Sequence, residues 1–252
     1  MSKIISVHSF RGGTGKSNIL ANLATLLAAE GRRIGVIDTD IQSPGIHVLF
    51  GLDQEKITRS LNDYLWGKCD IKQAAHDVTS HLGANLTGRV FLIPSSLKAG
   101  EIARVLRDGY DVRLLHDGFH KLVTELRLDA LMIDTHPGLN EETLLSIAMS
   151  HMLAIILRPD QQDYDGTRVT VEVARKLKVP RMALMVNKVP LVFDMTSVKA
   201  QMEQTYQCEV VAVLPHSDEM MTLGSKGIFA LRYPEHMMTA ELKRVAAQWV
   251  AS

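Results

Sequence analysis

Residues 3 to 31, KIISVHSFRGGTGKSNILANLATLLAAEG, pass from an apolar run through a glycine-rich turn into a helix-length stretch closed by Gly31. That order restricts the fold more than any other feature of the chain. A buried strand followed at once by a helix packs the helix back on its own sheet, and the next strand then lies parallel to the first. Gly12, Gly13 and Gly15 let the backbone turn several N–H groups toward one point, forming a nest for an anion. The helix adds the positive end of its dipole. The common phosphate loop is G-x-x-x-x-G-K-[ST]. Counting back from Gly15-Lys16-Ser17 puts Phe10 where its first glycine belongs, and Arg11 precedes the shifted pair Gly12-Gly13. Thr14 and Asn18 complete the expected cradle. Lys16 is placed to reach the outer phosphates, and the Ser17 hydroxyl to ligate Mg²⁺.

The rest of the chain repeats the pattern. RIGVIDTD, RVFLIPSS, ALMIDTHPG, MLAIILRP, RMALMVNKV and EVVAVLPHS read as strands, separated mostly by helix-length segments such as DGTRVTVEVARKLKV and DMTSVKAQMEQTYQ. Several are apolar almost throughout, as strands covered on both faces are. The expected fold is therefore α/β: a single doubly wound, mostly parallel sheet with helices on both faces, spanning residues 1–252 as one domain. Residues 41 to 88 are the least regular part and read as short helices and loops. Hydrophobic residues make up 46% of the chain, enough to fill such a core. Lys plus Arg equals Asp plus Glu at 28 each, which speaks against a strongly basic nucleic-acid binder. Cys69 and Cys208 form no C-x-x-C pair, so no zinc or redox motif is present. The start lacks signal-peptide architecture and no apolar run approaches a spanning helix, so a cytoplasmic location is expected.

In such sheets ligands bind beyond the carboxyl ends of the strands. Those ends carry Asp38 and Asp40, Asp134, Asn187-Lys188 and Pro215. Alternation points Asp38 and Asp40 the same way, and two close carboxylates facing solvent call for a cation or proton nearby, which Mg²⁺ or a water to be activated would explain. Asp134, after four apolar residues, has the form of a Walker-B acid, and Ser17, Asp40 and Asp134 are the candidate Mg²⁺ residues. His136 either orients a water or senses the γ-phosphate, or is a loop residue with a backbone partner. Asn187-Lys188 is like the start of an N-K-x-D guanine motif, but Pro190 stands at its fourth position. Asn187 can instead bond adenine, with Pro215 packed on the base, which favours ATP over GTP.

Together these residues resemble the MinD/ParA family of deviant Walker-A ATPases. The resemblance runs from about residue 3 to 250 through RGGTGKS, DTDIQSPGIHVLFG, DTHPGLNEE, VNKV and LPHSDEMMTLGSKG. It implies that Lys16 and Ser17 serve phosphate and Mg²⁺, that Asp40 positions the attacking water, that Asp134 supports the metal, and that Ser217 belongs to the Pro-led adenine loop. The family's signature lysine, which crosses a dimer interface to the partner's phosphates, falls at position 11. Arg11 keeps its charge and offers a planar fork. The resemblance thus implies an ATP-dependent homodimer with slow, partner-stimulated ATP hydrolysis.

Three functions are consistent with it: an ATPase that positions a cargo or partner complex; an accessory ATPase of a secretion, polysaccharide or flagellar machine, or a weakly hydrolysing nucleotide switch; and a metabolic or metal-cluster enzyme. The isolated cysteines argue against the last. Lys98, Arg104, Arg107 and Arg113 form either a DNA-facing stripe or a solvated helix face, so non-specific DNA stays open as a partner. The MinD branch ends in an amphipathic membrane helix. Here Met238, Leu242, Val245 and Trp249 share one face, read as a last helix docked on the sheet, and direct membrane anchoring is not expected.

Overall fold

The computed structural model describes residues 2–83 and 86–251. Eight strands lie in one sheet: β1 (Lys3–His8), β2 (Arg33–Asp38), β3 (His76–Asp77), β4 (Arg89–Ile93), β5 (Ala130–Asp134), β6 (Met152–Leu157), β7 (Arg181–Val189) and β8 (Glu209–Pro215). Their order is β3-β4-β2-β5-β1-β6-β7-β8. Every neighbouring pair is parallel except β3 and β4. The seven strands read from sequence are all present. β3 is the addition: two residues carry no periodicity, and it forms within the irregular 41–88 segment among short helical turns such as Ile46–Leu49 and Leu61–Leu65.

Successive strand residues alternate between faces, and both faces are apolar. On one side, Ile5, Val7, Val36 and Met132 pack under the helix Lys16–Ala29 and the C-terminal helix Met237–Ala251. On the other, Ile4, Ile37, Leu131 and Ile133 meet the helix Arg113–Glu125. Leu153, Ile155 and Leu184 meet the helices Gln161–Lys176 and Met195–Tyr206. Double coverage is why the strands show no polar alternation. The predicted apolar face of the last helix is buried, with Leu242 and Val245 fully inaccessible. It packs on the helix Lys16–Ala29 as well as on β8. Burying each of those two side chains stabilises the fold by roughly 1.5–3 kcal/mol. Among the described residues no helix is long and apolar enough to cross a membrane.

Chain order reverses at β1, which lies between β5 and β6. The crevice beyond its carboxyl end is the topological switch point, and the glycine-rich loop leaves β1 there.

Candidate functional site

The loop is bent by its glycines and held by β7. Gly13 and Gly15 have φ of +78° and +95°, a region that disfavours any side chain. A Cβ on Gly15 would also stand 2.4 Å from Nδ2 of Asn187. β7 breaks register with β8 between Val186 and Val189, and this bulge re-aims the two residues between them. Asn187 Nδ2 donates to the Thr14 carbonyl at 2.8 Å, and Lys188 Nζ to the Gly13 carbonyl at 2.8 Å. In a trans peptide the N–H points opposite the C=O. Tying those carbonyls back toward β7 therefore turns the N–H groups of Thr14 and Gly15 the other way. Lys188 is the functional side chain that sequence reasoning left unassigned. No spacing rule predicts it, because it depends on the bulge.

Phe10 fills the place of the missing first glycine. Its ring lies against Gly166 of the helix Gln161–Lys176, where even a Cβ would come within 2.1 Å of the ring. The loop thus begins on an aromatic wedge set into a neighbouring helix.

Beneath the loop, Lys16 Nζ donates to Asp134 Oδ1 at 2.5 Å, with both side chains buried. Asp38 pairs with Asp134 in strand register, so β2 and β5 end side by side. Asp38 does not face solvent beside Asp40 as alternation suggested. The strand stops at Asp38, whose buried carboxylate accepts the N–H of Asp40 at 3.0 Å and of Gly45 at 3.3 Å. It caps the turn that follows. Burial pushes the Asp38 carboxyl well above the ordinary carboxylate range; Asp134 and Asp40 add to this, while Lys16 and the Asp40 N–H oppose it. Asp40 alone turns outward, and His136 Nδ1 lies 2.7 Å from its Oδ1. The partner of His136 is thus a carboxylate rather than a backbone group.

His8, at the end of β1, was not singled out by sequence, although it interrupts an apolar run. It is fully buried. Thr135 donates its hydroxyl hydrogen to the Val7 carbonyl at 3.1 Å, so the 2.8 Å contact with His8 Nδ1 requires the proton on Nδ1. Burial first, then Lys16 and His136, push this imidazole down to about 3.

Gly15, Asn18, Asn187, Pro215 and Ser217 line a cleft of about 220 Å³, floored by Ile19, Met220, Met238 and Leu242. Pro215 ends β8 and does not start a helix; Ser217 caps the helix Asp218–Leu223 by accepting from Met220 N. Gly12, Gly13, Thr14, Lys16 and Ser17 adjoin Gly15 along the chain but do not themselves line this cleft. Arg11 stands apart. Its guanidinium is 3.6 Å from Asp160 and 3.9 Å from Asp163, two carboxylates that Arg158 also engages. Lys98, Arg104, Arg107 and Arg113 each pair with an acidic neighbour, so they form no uncompensated basic stripe.

The residues fit a Mg²⁺-nucleotide. A Cβ on Gly13 would meet nothing within 4 Å, so space opens before the turn. The Thr14 hydroxyl is buried without a partner. Beyond its bond to Thr14, the Asn187 amide has an oxygen and a second N–H that would suit a base.

A parallel sheet with this cradle at its switch point, a buried lysine beneath it and a carboxylate at the end of β5 defines a P-loop NTPase. The chain belongs to the ParA family, described as NUBPL iron-transfer P-loop NTPases, whose family model matches residues 1–250. An uncharacterised ATP-binding protein of Methanocaldococcus jannaschii is 26% identical over 100% of this chain and 89% of its own length. An iron–sulfur cluster carrier protein of Pseudomonas fragi is 30% identical over 74% of this chain and 60% of its own length. Among solved structures, the septum site-determining protein MinD of Pyrococcus horikoshii, with Mg-ADP, superposes with a TM-score of 0.82 at 20% identity, over 99% of this chain and 96% of that one. A ParA family ATPase of Chlorobium tepidum gives 0.77 at 15%, over 98% and 99%. At those identities the structural likeness concerns the fold alone.

Proposed function

We propose that this chain is an ATP-driven switch of one domain: it binds Mg-ATP in the β1 loop, closes into a homodimer, and hydrolyses ATP to release a partner or cargo that it positions. The observation that carries this reading is the pair of hydrogen bonds from Asn187 and Lys188 to the loop carbonyls. They hold the anion nest open in advance, with Lys16 already buried beside it. Thr14, Gly15 and Lys16 would hold the phosphates, and the cleft at Asn187, Pro215 and Ser217 the adenine. Ser17 and Asp134, with Asp40 nearby, would hold Mg²⁺, which when bound supplies charge neutralisation to the phosphates. Lys16 is then drawn from Asp134 toward the nucleotide. Asp40, outside the strand and hydrogen-bonded to His136, would orient the attacking water. With Lys16 serving the chain's own phosphates, Arg11, which lies on Asp160 and Asp163, has no required role there. A contact with the facing subunit's phosphates gives it one, and couples ATP to assembly.

Transfer of an iron–sulfur cluster as cargo is the second reading, favoured by the family description and by relatives named as cluster carriers. The cysteines weigh against it. Cys69 packs against the core cluster under Arg113–Glu125, while Cys208, just before β8, packs against the separate cluster under Gln161–Lys176 and Met195–Tyr206, so one subunit offers no thiolate pair.

Calorimetry and turnover test the proposal. Lys16→Ala is expected to lose most Mg-ATP affinity while keeping the fold. Asp40→Ala is expected to keep affinity but hydrolyse about a hundredfold more slowly. Unchanged affinity in the first variant removes the loop from the site; wild-type turnover in the second removes Asp40 from the chemistry.

A further inference from the structure

The sequence leaves the role of His136 open among three readings, and the geometry points to one partner, Asp40. The backbone of His136 is fixed from the core outward. Thr135 N bonds to Val7 O at 3.3 Å, Gly138 N to Ser9 O at 3.2 Å, and the Thr143 hydroxyl to His136 O at 3.3 Å. The segment it faces has few hydrogen bonds to the rest of the fold. Residues 40–45 bond to the Asp38 carboxylate at Asp40 and Gly45, with one internal bond from Ser43 N to Asp40 Oδ1 at 3.1 Å, and Ile41 packs into the core. Among the described residues, the contact of His136 Nδ1 with Asp40 Oδ1 is the one hydrogen bond from the loop after β5 to this segment.

The donors on Asp40 are unevenly shared. A carboxylate only accepts, so His136 carries its proton on Nδ1. Both His136 and Ser43 donate to Oδ1. Oδ2 accepts no hydrogen bond among the described residues. Two donors on one oxygen fix the carboxylate plane and leave the other oxygen for a water.

We propose that His136 is the positioning residue for Asp40: through Nδ1 it clamps one carboxylate oxygen so that the other faces the attacking water, and it ties the 40–45 segment to the loop after β5. This rests on the reading of Asp40 as the water-orienting acid. The histidine touches neither nucleotide nor water; it acts through Asp40.

The chemistry of the clamp defines a sharp comparison. An asparagine amide places its nitrogen at the same bond separation from the backbone as Nδ1, whereas glutamine places it one atom farther out, near Nε2. The experiment measures kcat and KM for ATP in wild type, His136→Ala, His136→Asn, His136→Gln, Asp40→Ala and the double variant Asp40→Ala/His136→Ala. It adds hydrogen–deuterium exchange of the nucleotide-free proteins. A loss of alignment of this kind costs about ten- to a hundredfold in rate, so His136→Ala is expected to lower kcat by that factor with little change in KM. His136→Asn should recover most of the loss and His136→Gln should not. Exchange across residues 40–45 should quicken in His136→Ala and return to normal in His136→Asn. In the Asp40→Ala background, removing His136 should cost nothing more.

Wild-type kcat in His136→Ala, beside a slow Asp40→Ala, overturns the proposal and leaves the reading of Asp40 standing. So does a further loss in the double variant, which would mean that His136 acts on its own, or unchanged exchange across residues 40–45. Wild-type turnover in Asp40→Ala brings down the reading of Asp40 and the proposal with it.

Discussion

At the scale of single residues, two positions tie the local sequence to measurable stability. Gly15 combines a positive φ with a neighbour that leaves no room for a side chain. Alanine there meets both the backbone penalty and the Asn187 amide, so Gly15→Ala is expected to destabilise the fold by more than about 1 kcal/mol, read as a lower urea midpoint. A midpoint equal to wild type would show that the loop relaxes freely. His8 gives a pH signature. The folded protein keeps its imidazole neutral down to about 3. The unfolded chain takes up the proton near pH 6.5, so stability is lost as pH falls below that value, by roughly 1.4 kcal/mol per unit. His8→Asn keeps a donor for Thr135 and removes the titration. Between pH 7 and 5 wild type should lose about 2 kcal/mol more than this variant; parallel losses would contradict the buried neutral histidine. What was legible here was residue type at a fixed offset: Gly12, Gly13, Gly15, Lys16 and Ser17 declare themselves because phosphate chemistry fixes their spacing. The partners of Lys188, His8 and His136, namely Gly13, Thr135 and Asp40, were not legible, since only neighbouring strands and loops bring them together.

At the scale of elements, the strands were readable because burial on both faces removes every reason for polar alternation. β3 was not, being set by its pairing with β4. The capping role of Asp38 was also hidden. Strand alternation places it beside Asp40, but the strand ends at Asp38 and the chain turns, so one carboxylate goes inward and the other outward. The contact of Phe10 with Gly166 shows how one element fixes another. The pattern marks Phe10 only as a missing glycine; the helix Gln161–Lys176 explains it, by offering a position with no side chain. Gly166→Ala pushes a methyl into the ring and is expected to destabilise by about 1–3 kcal/mol, the usual cost of overpacking. Phe10→Ala should relieve much of that cost, giving a favourable coupling in a double-mutant cycle of urea unfolding. Additive effects would show that the ring and the helix do not press on each other.

At the scale of the whole molecule, the sheet gathers the carboxyl ends of its strands around one crevice, and Arg11, paired with Asp160 and Asp163 beside it, is the cation proposed to reach a facing subunit. Arg11 and Asp160 are half exposed, so their ion pair is weak, worth about 0–1 kcal/mol, and the buried Asp163 lies 3.9 Å from Arg11 and is shared with Arg158. A stronger anion on a facing subunit can replace these contacts. Arginine can bond two phosphate oxygens at once, so an ATP-bound pair would gain contacts that the single subunit lacks. The direct measurement is sedimentation velocity of wild type, Arg11→Ala and Arg11→Lys, each with Mg²⁺ and a slowly hydrolysed ATP analogue, with nucleotide affinity measured in parallel. The account predicts that wild type and Arg11→Lys sediment as dimers only with the analogue, while Arg11→Ala binds it within a few-fold of wild type and stays monomeric. A wild type that remains monomeric with saturating analogue, or an Arg11→Ala that dimerises as well as wild type, would contradict it.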